Sequence, residues 1–172
     1  MPCPVTTAPR HLYPGLRVES AETSDLSRIE DDVTVRFRIA VPRLARPESG
    51  GLALAPFGQG QNWMESFAPL SERRHDLVLN SPFETRFALR WELPPGMAPA
   101  SLPAPERREG PFGAWSVSLQ MEGNVLVARG YLQISKRRIA VADYPAFREF
   151  LAGVDRALLR TVRLVRAGGG KP

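Results

Sequence analysis

Over residues 83–93 the chain alternates: Phe83, Phe87, Leu89, Trp91 and Leu93 share one parity, and Glu84, Arg86, Arg90 and Glu92 share the other. Successive side chains of a strand point to opposite faces, so this pattern gives one apolar face and one charged face. A helix, with a period of about 3.6 residues, would scatter the same groups around its circumference. The alternation recurs over 31–41, where Val33, Val35, Phe37, Ile39 and Val41 oppose Thr34, Arg36, Arg38 and Ala40. It recurs again where Trp115, Val117, Leu119 and Met121 oppose Ser116, Ser118 and Gln120. Glu122-Gly123-Asn124 then predicts a tight hairpin into residues 125–134. Both parities of that segment are apolar, so it sits mid-sheet or Gly130 marks a bulge. Shorter strands are expected at 16–19, 52–57 and 75–79. Pro42 and the run to Gly51 read as a turn, and residues 97–111, with the charge cluster Glu106-Arg107-Arg108-Glu109, as a surface loop.

A chain of 172 residues with 43% hydrophobic content is about one domain's length and can bury a core without a metal or disulfide staple. Its 17 prolines and 14 glycines argue for many turns and few long helices. Short strands with no βαβ spacing predict a mainly β fold, an antiparallel β-sandwich of about 6–8 strands carrying one C-terminal amphipathic α-helix. The expected organisation is a disordered leader over 1–12, the sandwich over 13–142, a packed helix over 143–166 and a flexible tail over 167–172. The helix is predicted by a change of period: Phe147, Leu151, Val154, Leu158, Val162 and Val165 recur at steps of four, three, four, four and three. Asp143 is its expected cap, and Pro145 suits its first turn.

The net charge of +5 is unevenly placed. Residues 136–172 hold nine basic and three acidic groups, while the first 135 hold 14 basic and 15 acidic, so the body is near neutral and the excess belongs to the end of the chain. No apolar run approaches the ~20 residues a membrane-crossing helix needs, and Met1-Pro2-Cys3-Pro4 has neither a basic nor an apolar leader segment. A soluble chain without a sorting segment is the expectation. The single cysteine, Cys3, excludes an internal disulfide and a multi-cysteine zinc site.

Candidate chemistry is sparse. His11 and His75 are the two imidazoles, they lie in different segments, and neither has a metal-ligand partner at the spacing of a helical turn. No Gly-x-Ser-x-Gly elbow is present. Gly168-Gly169-Gly170-Lys171 follows a helix instead of opening one, so it is a tail and not a phosphate loop, and Gly58-Gln59-Gly60 reads as a flexible loop. No catalytic residue, metal or cofactor is expected.

Two possible partner surfaces remain. Arg156, Arg160 and Arg163 fall largely off the apolar stripe of the helix, but nucleic acid is disfavoured because no aromatic or base-reading groups interleave with them. Trp63, beside Gln61 and Asn62, suits glycan or peptide recognition if its ring is exposed; an ordinary packed tryptophan is the competing reading.

Several motifs, in order, carry a resemblance: Leu77-Val78-Leu79-Asn80-Ser81-Pro82-Phe83, Trp91-Glu92-Leu93-Pro94-Pro95-Gly96, Leu102-Pro103, Gly110-Pro111-Phe112-Gly113, Asp143-Tyr144-Pro145-Ala146-Phe147-Arg148-Glu149-Phe150 and Val154-Asp155. Over residues 65–165 the chain resembles the C-terminal domain of bacterial transglutaminase-like proteins. In that family a β-rich N-terminal domain of unknown function precedes a papain-like transglutaminase core, and this module follows the core. The resemblance implies that the Cys-His-Asp apparatus lies in the core and that no residue here inherits a catalytic role. It also implies a larger, exported parent in the periplasm or cell envelope. The expected function is that of a non-catalytic accessory or interaction domain whose partner is the adjacent core or another protein. The alternative is a glycan- or peptide-binding sandwich module.

Overall fold

The computed structural model describes residues 13, 15–25, 27, 30, 32–58 and 61–166. The expected leader and tail, Cys3, His11, Gln59 and Gly60 lie outside the described residues. The chain divides into two compact units, the first running to Leu44 and the second starting at Ala45, where the sequence pattern suggested one β domain over 13–142.

In the first unit β1 (Arg17–Thr23) and β2 (Val35–Ala40) pair antiparallel, with a register shift between Val18 and Ser20. Phe37 and Ile39 are half-buried while Arg36 and Arg38 face solvent, as their parity dictates. Val33, expected on the apolar face, precedes the strand and is exposed.

The second unit runs β3 (Ala45–Glu48), β4 (Gly51–Leu54), α1 (Trp63–Phe67), β5 (Leu77–Val78), β6 (Phe83–Glu92), β7 (Met97–Pro99), β8 (Glu106–Gly110), β9 (Gly113–Glu122), β10 (Val125–Ile134), β11 (Arg138–Ile139), α2 (Tyr144–Leu158) and β12 (Val162–Arg166). One sheet has the order β6-β10-β9-β8, another the order β3-β4-β12-β7, and β5 pairs with β11. Every pair is antiparallel. The fold is mainly β and consistent with a β-sandwich carrying one longer helix near its C-terminus, with twelve strands among the described residues.

The pairing follows from the pattern. Glu122 and Val125 close the β9–β10 turn, as the Glu-Gly-Asn signal indicated. β10 lies between β9 and β6, which accounts for its two apolar parities, and its register runs unbroken through Gly130, so there is no bulge. Gly130 has a different reason. It faces Phe87, and a Cβ at residue 130 would lie 2.5 Å from Phe87 Cε2. The phenyl ring occupies the space of the missing side chain.

Helix α2 lays Phe147, Phe150, Leu151, Val154, Ala157 and Leu158 into the core. Phe112 meets Phe147 and Phe150 edge-on, with centroids 5.4 and 6.1 Å apart. Gly153 lets the helix approach β9: a Cβ there would stand 3.3 Å from Trp115 Cζ2.

Four expectations change. The helix does not run over 143–166; it ends at Leu158, and Val162–Arg166 pairs with β4 and β7. The steps of four and three through Val162 and Val165 are coincidental, and the buried pair there is Val162 and Leu164, at period two. Thr161, Val162 and Val165 are β-branched, which favours the strand. Asp143 makes no side-chain cap because residues 141–143 already form a 3₁₀ turn; the first free amide is that of Val141, which donates to Asp76 Oδ1 at 3.0 Å. Residues 97–111 are not one loop but contain β7 and β8, and the segment 43–51 read as a turn contains β3.

Candidate functional site

Trp63 is neither a loop residue nor freely exposed. It begins α1 and is half-buried, stacked on Phe67 and Phe83 with centroids 5.9 and 6.0 Å away. Its indole Nε1 is buried with no hydrogen-bond partner among the described residues. Asn62 precedes it in the left-handed conformation at φ 52° and offers no side-chain cap, while Gln61 is half-buried. The cap comes from another helix. Asp155 on α2 accepts hydrogen bonds from the amides of Trp63 and Met64, both at 2.9 Å. The carboxylate thus satisfies two of the amides that a helix N-terminus leaves open. Tyr144 donates to the Leu70 carbonyl at 2.8 Å, and Arg148 Nε to the Ala68 carbonyl at 3.1 Å, so α2 ties down the whole segment after α1. These contacts pack the segment, and the Trp63 ring, half-buried against Phe67 and Phe83, keeps only part of its surface open.

The other candidate residues separate. Arg163 lies on β12 and donates to the Ser49 carbonyl in the β3–β4 turn at 2.6 Å, a structural clamp. Arg156 and Arg160 instead meet β8, which the sequence pattern assigned to a loop, at Arg108. Arg108, Arg156 and Arg160, with Glu106, Arg107, Trp115, Gly153 and Ala157, line an open groove of about 350 Å³ between α2 and the edge of the first sheet; the Arg107 side chain lies on the other face of β8. One signal for β8 was available: the turn residues Gly110-Pro111-Phe112-Gly113 link it to β9, the geometry of a hairpin.

The groove is basic but partly paired. Arg160 forms an ion pair with Glu106, Arg107 with Glu109, and Arg156 donates to Glu149 Oε1 at 2.6 Å. The Arg108 side chain forms no ion pair or hydrogen bond among the described residues. The hydrogen bond from Arg156, then its charge and that of Arg108, hold the Glu149 carboxyl below the usual glutamate range. A carboxylate at this place is therefore stabilised by the guanidinium groups around it. The wall is Trp115, 4% exposed, whose Nε1 has no acceptor among the described residues.

Catalytic groups do not converge at this groove. His75 lies at the approach to β5, next to Asp76, whose carboxylate is held low by Arg138 Nε at 2.7 Å and by the Val141 amide. Among the described residues there is no group of three His, Cys, Asp or Glu side chains placed to hold a metal, and no helix long and apolar enough to cross a membrane.

Residues 52–164 match the family model described as a domain of unknown function with solved structure, DUF3858. No curated protein matches the chain. Among solved structures, the chain is similar to that of a putative protease from Parabacteroides distasonis, at 17% identity and a TM-score of 0.49, over 55% of this chain. The match spans 19% of the length of that protein.

Proposed function

Because the chain belongs to the DUF3858 family, whose function is unknown, we propose that it is a non-catalytic interaction module that takes an acidic protein segment in the groove between α2 and β8. The observation that carries this reading is the convergence of Arg108, Arg156 and Arg160 from two elements far apart in sequence onto one open groove. A guanidinium presents a planar fork of donors that matches a carboxylate, and the Arg108 side chain forms no ion pair or hydrogen bond among the described residues. The motif resemblance adds the setting: an accessory domain beside a transglutaminase-like core in an exported protein, with that core or a further protein supplying the acidic segment.

Protein is favoured over nucleic acid. Glu106, paired with Arg160, and Glu149, paired with Arg156, stand among the arginines and would repel a continuous phosphate backbone, whereas separate carboxylates can fit between them. Trp115 is buried and offers no ring for base stacking.

Fluorescence anisotropy of a labelled octapeptide alternating glutamate and threonine tests the reading, with a labelled single-stranded oligonucleotide as the comparison. The peptide is expected to bind the full chain more tightly at low than at high salt. Arg108→Ala should weaken it about tenfold, the scale of one charge-assisted hydrogen bond. No peptide binding, or binding of the oligonucleotide alone, refutes the reading. Transglutaminase or peptidase turnover by the purified chain, abolished by Cys3→Ala, would refute its non-catalytic part.

A further inference from the structure

β8 is the end strand of its sheet: β9 pairs with one side, and no described element pairs with the other. Its residues Arg107 to Gly110 are exposed. Gly110 and Gly113 close a two-residue turn and so form a hydrogen-bonded pair, which commits the main-chain groups of Glu106, Arg108 and Gly110 to β9. The amides and carbonyls of Arg107 and Glu109 therefore face outward. Side chains alternate the other way. Glu106 and Arg108 share the face of their β9 partners Val117 and Trp115, which is the face α2 covers; Arg107 and Glu109 lie on the opposite face with Ser116 and Ala114.

A charged edge strand ordinarily serves to discourage pairing with other chains. This one differs in being walled on one side by α2, which adds Arg156 and Arg160 to Arg108 along the same face. Resting on the reading above, we infer that the acidic segment binds as an added β-strand on the free edge of β8, with a carboxylate at every second residue directed to Arg108, Arg156 and Arg160. The main chain bonds to the outward groups of Arg107 and Glu109, and the intervening side chains fall on the opposite face, where Arg107 is already paired with Glu109. Main-chain bonds supply affinity without sequence choice, and the alternate-residue carboxylates supply specificity.

The alternating octapeptide is the probe, made in three forms: unmodified, N-methylated at the glutamate amides, and N-methylated at the threonine amides. In an added strand alternate residues turn their amides toward and away from β8, so one methylated isomer should lose about tenfold or more in affinity while the other stays within about threefold. The isomer that fails also reports strand direction: threonine amides face β8 if the segment runs antiparallel to it, glutamate amides if parallel. An isomer of equal charge with four glutamates followed by four threonines should bind more weakly than the alternating form. Equal binding by both methylated isomers, or equal loss, overturns strand addition while leaving the acidic-segment reading intact. Failure of the unmodified peptide to bind overturns the earlier reading itself.

Discussion

Asp155 caps Trp63 across 92 residues of sequence: its Oδ1 accepts the Trp63 amide at 2.9 Å while Oδ2 takes that of Met64. A helix of five residues cannot sustain itself by propagation, since nucleation is its main cost. Its position depends on this cap, on the Arg148 bond to its C-terminal end and on the stacking of Trp63 and Phe67 with Phe83. Asp155→Ala should therefore destabilise the chain by about 0.5–2 kcal/mol, the usual range for a lost cap, and Asp155→Asn by less, because one oxygen acceptor remains. Urea unfolding followed by tryptophan fluorescence measures both. Equal stability of the three proteins would show that α1 is held by its aromatic stack alone.

Gly130 and Phe87 permit a sharper test, because the ring takes the volume a side chain would need. Phe87 also stands edge-on to Phe57, with centroids 5.8 Å apart, so the ring is not free to swing away. Gly130→Ala should cost about 1–3 kcal/mol by overpacking. Phe87→Leu alone loses the aromatic contact but opens space. The double variant should then be more stable than the sum of the single effects, with a coupling of about 1 kcal/mol in a denaturation cycle. Additive losses would mean that the two residues do not share this volume.

Legibility in the sequence divides along physical lines. Wherever one face of a strand is buried, periodicity reveals it, as in β6, whose burial alternates residue by residue from Phe83 to Glu92. The β9–β10 turn was legible for the same local reason. β8 was hidden because it is an edge strand: four of its five residues are exposed, so no apolar parity distinguishes it from a loop. β12 was hidden by an accident of spacing that extended the stripe of α2. The candidate site suffers from both. Arg156 and Arg160 are visible as charges off a helical stripe, but their meeting with Arg108 depends on a strand that composition disguises and on Gly153, whose lack of a side chain lets α2 close on Trp115. Trp63 was ambiguous because the carboxylate that fixes it lies on a distant element.

Glu122 contributes to the acid limb of stability. Its carboxylate accepts from Arg90 Nη1 at 2.7 Å, Arg129 Nη2 at 3.1 Å and Gln120 Nε2 at 3.0 Å, gathering β6, β9 and β10 on the polar face of their sheet. Val127, on that face but 1% exposed, lies opposite both Arg90 and Gln120. The hydrogen bond from Arg90 first, then those from Arg129 and Gln120, lower the pKa from 4.5 to about 2. The folded value lies below the unfolded one, so the unfolded chain binds the proton first as acid is added. The stabilisation is accordingly complete above the ordinary glutamate range and is lost as pH falls from 4.5 toward about 2. Glu122→Gln removes the titrating group. Its urea midpoint should lie below that of the native chain at neutral pH, and the gap should close as pH falls through this window. A gap that stays constant down to about pH 2 would show that the network acts through packing and not through the charge of Glu122.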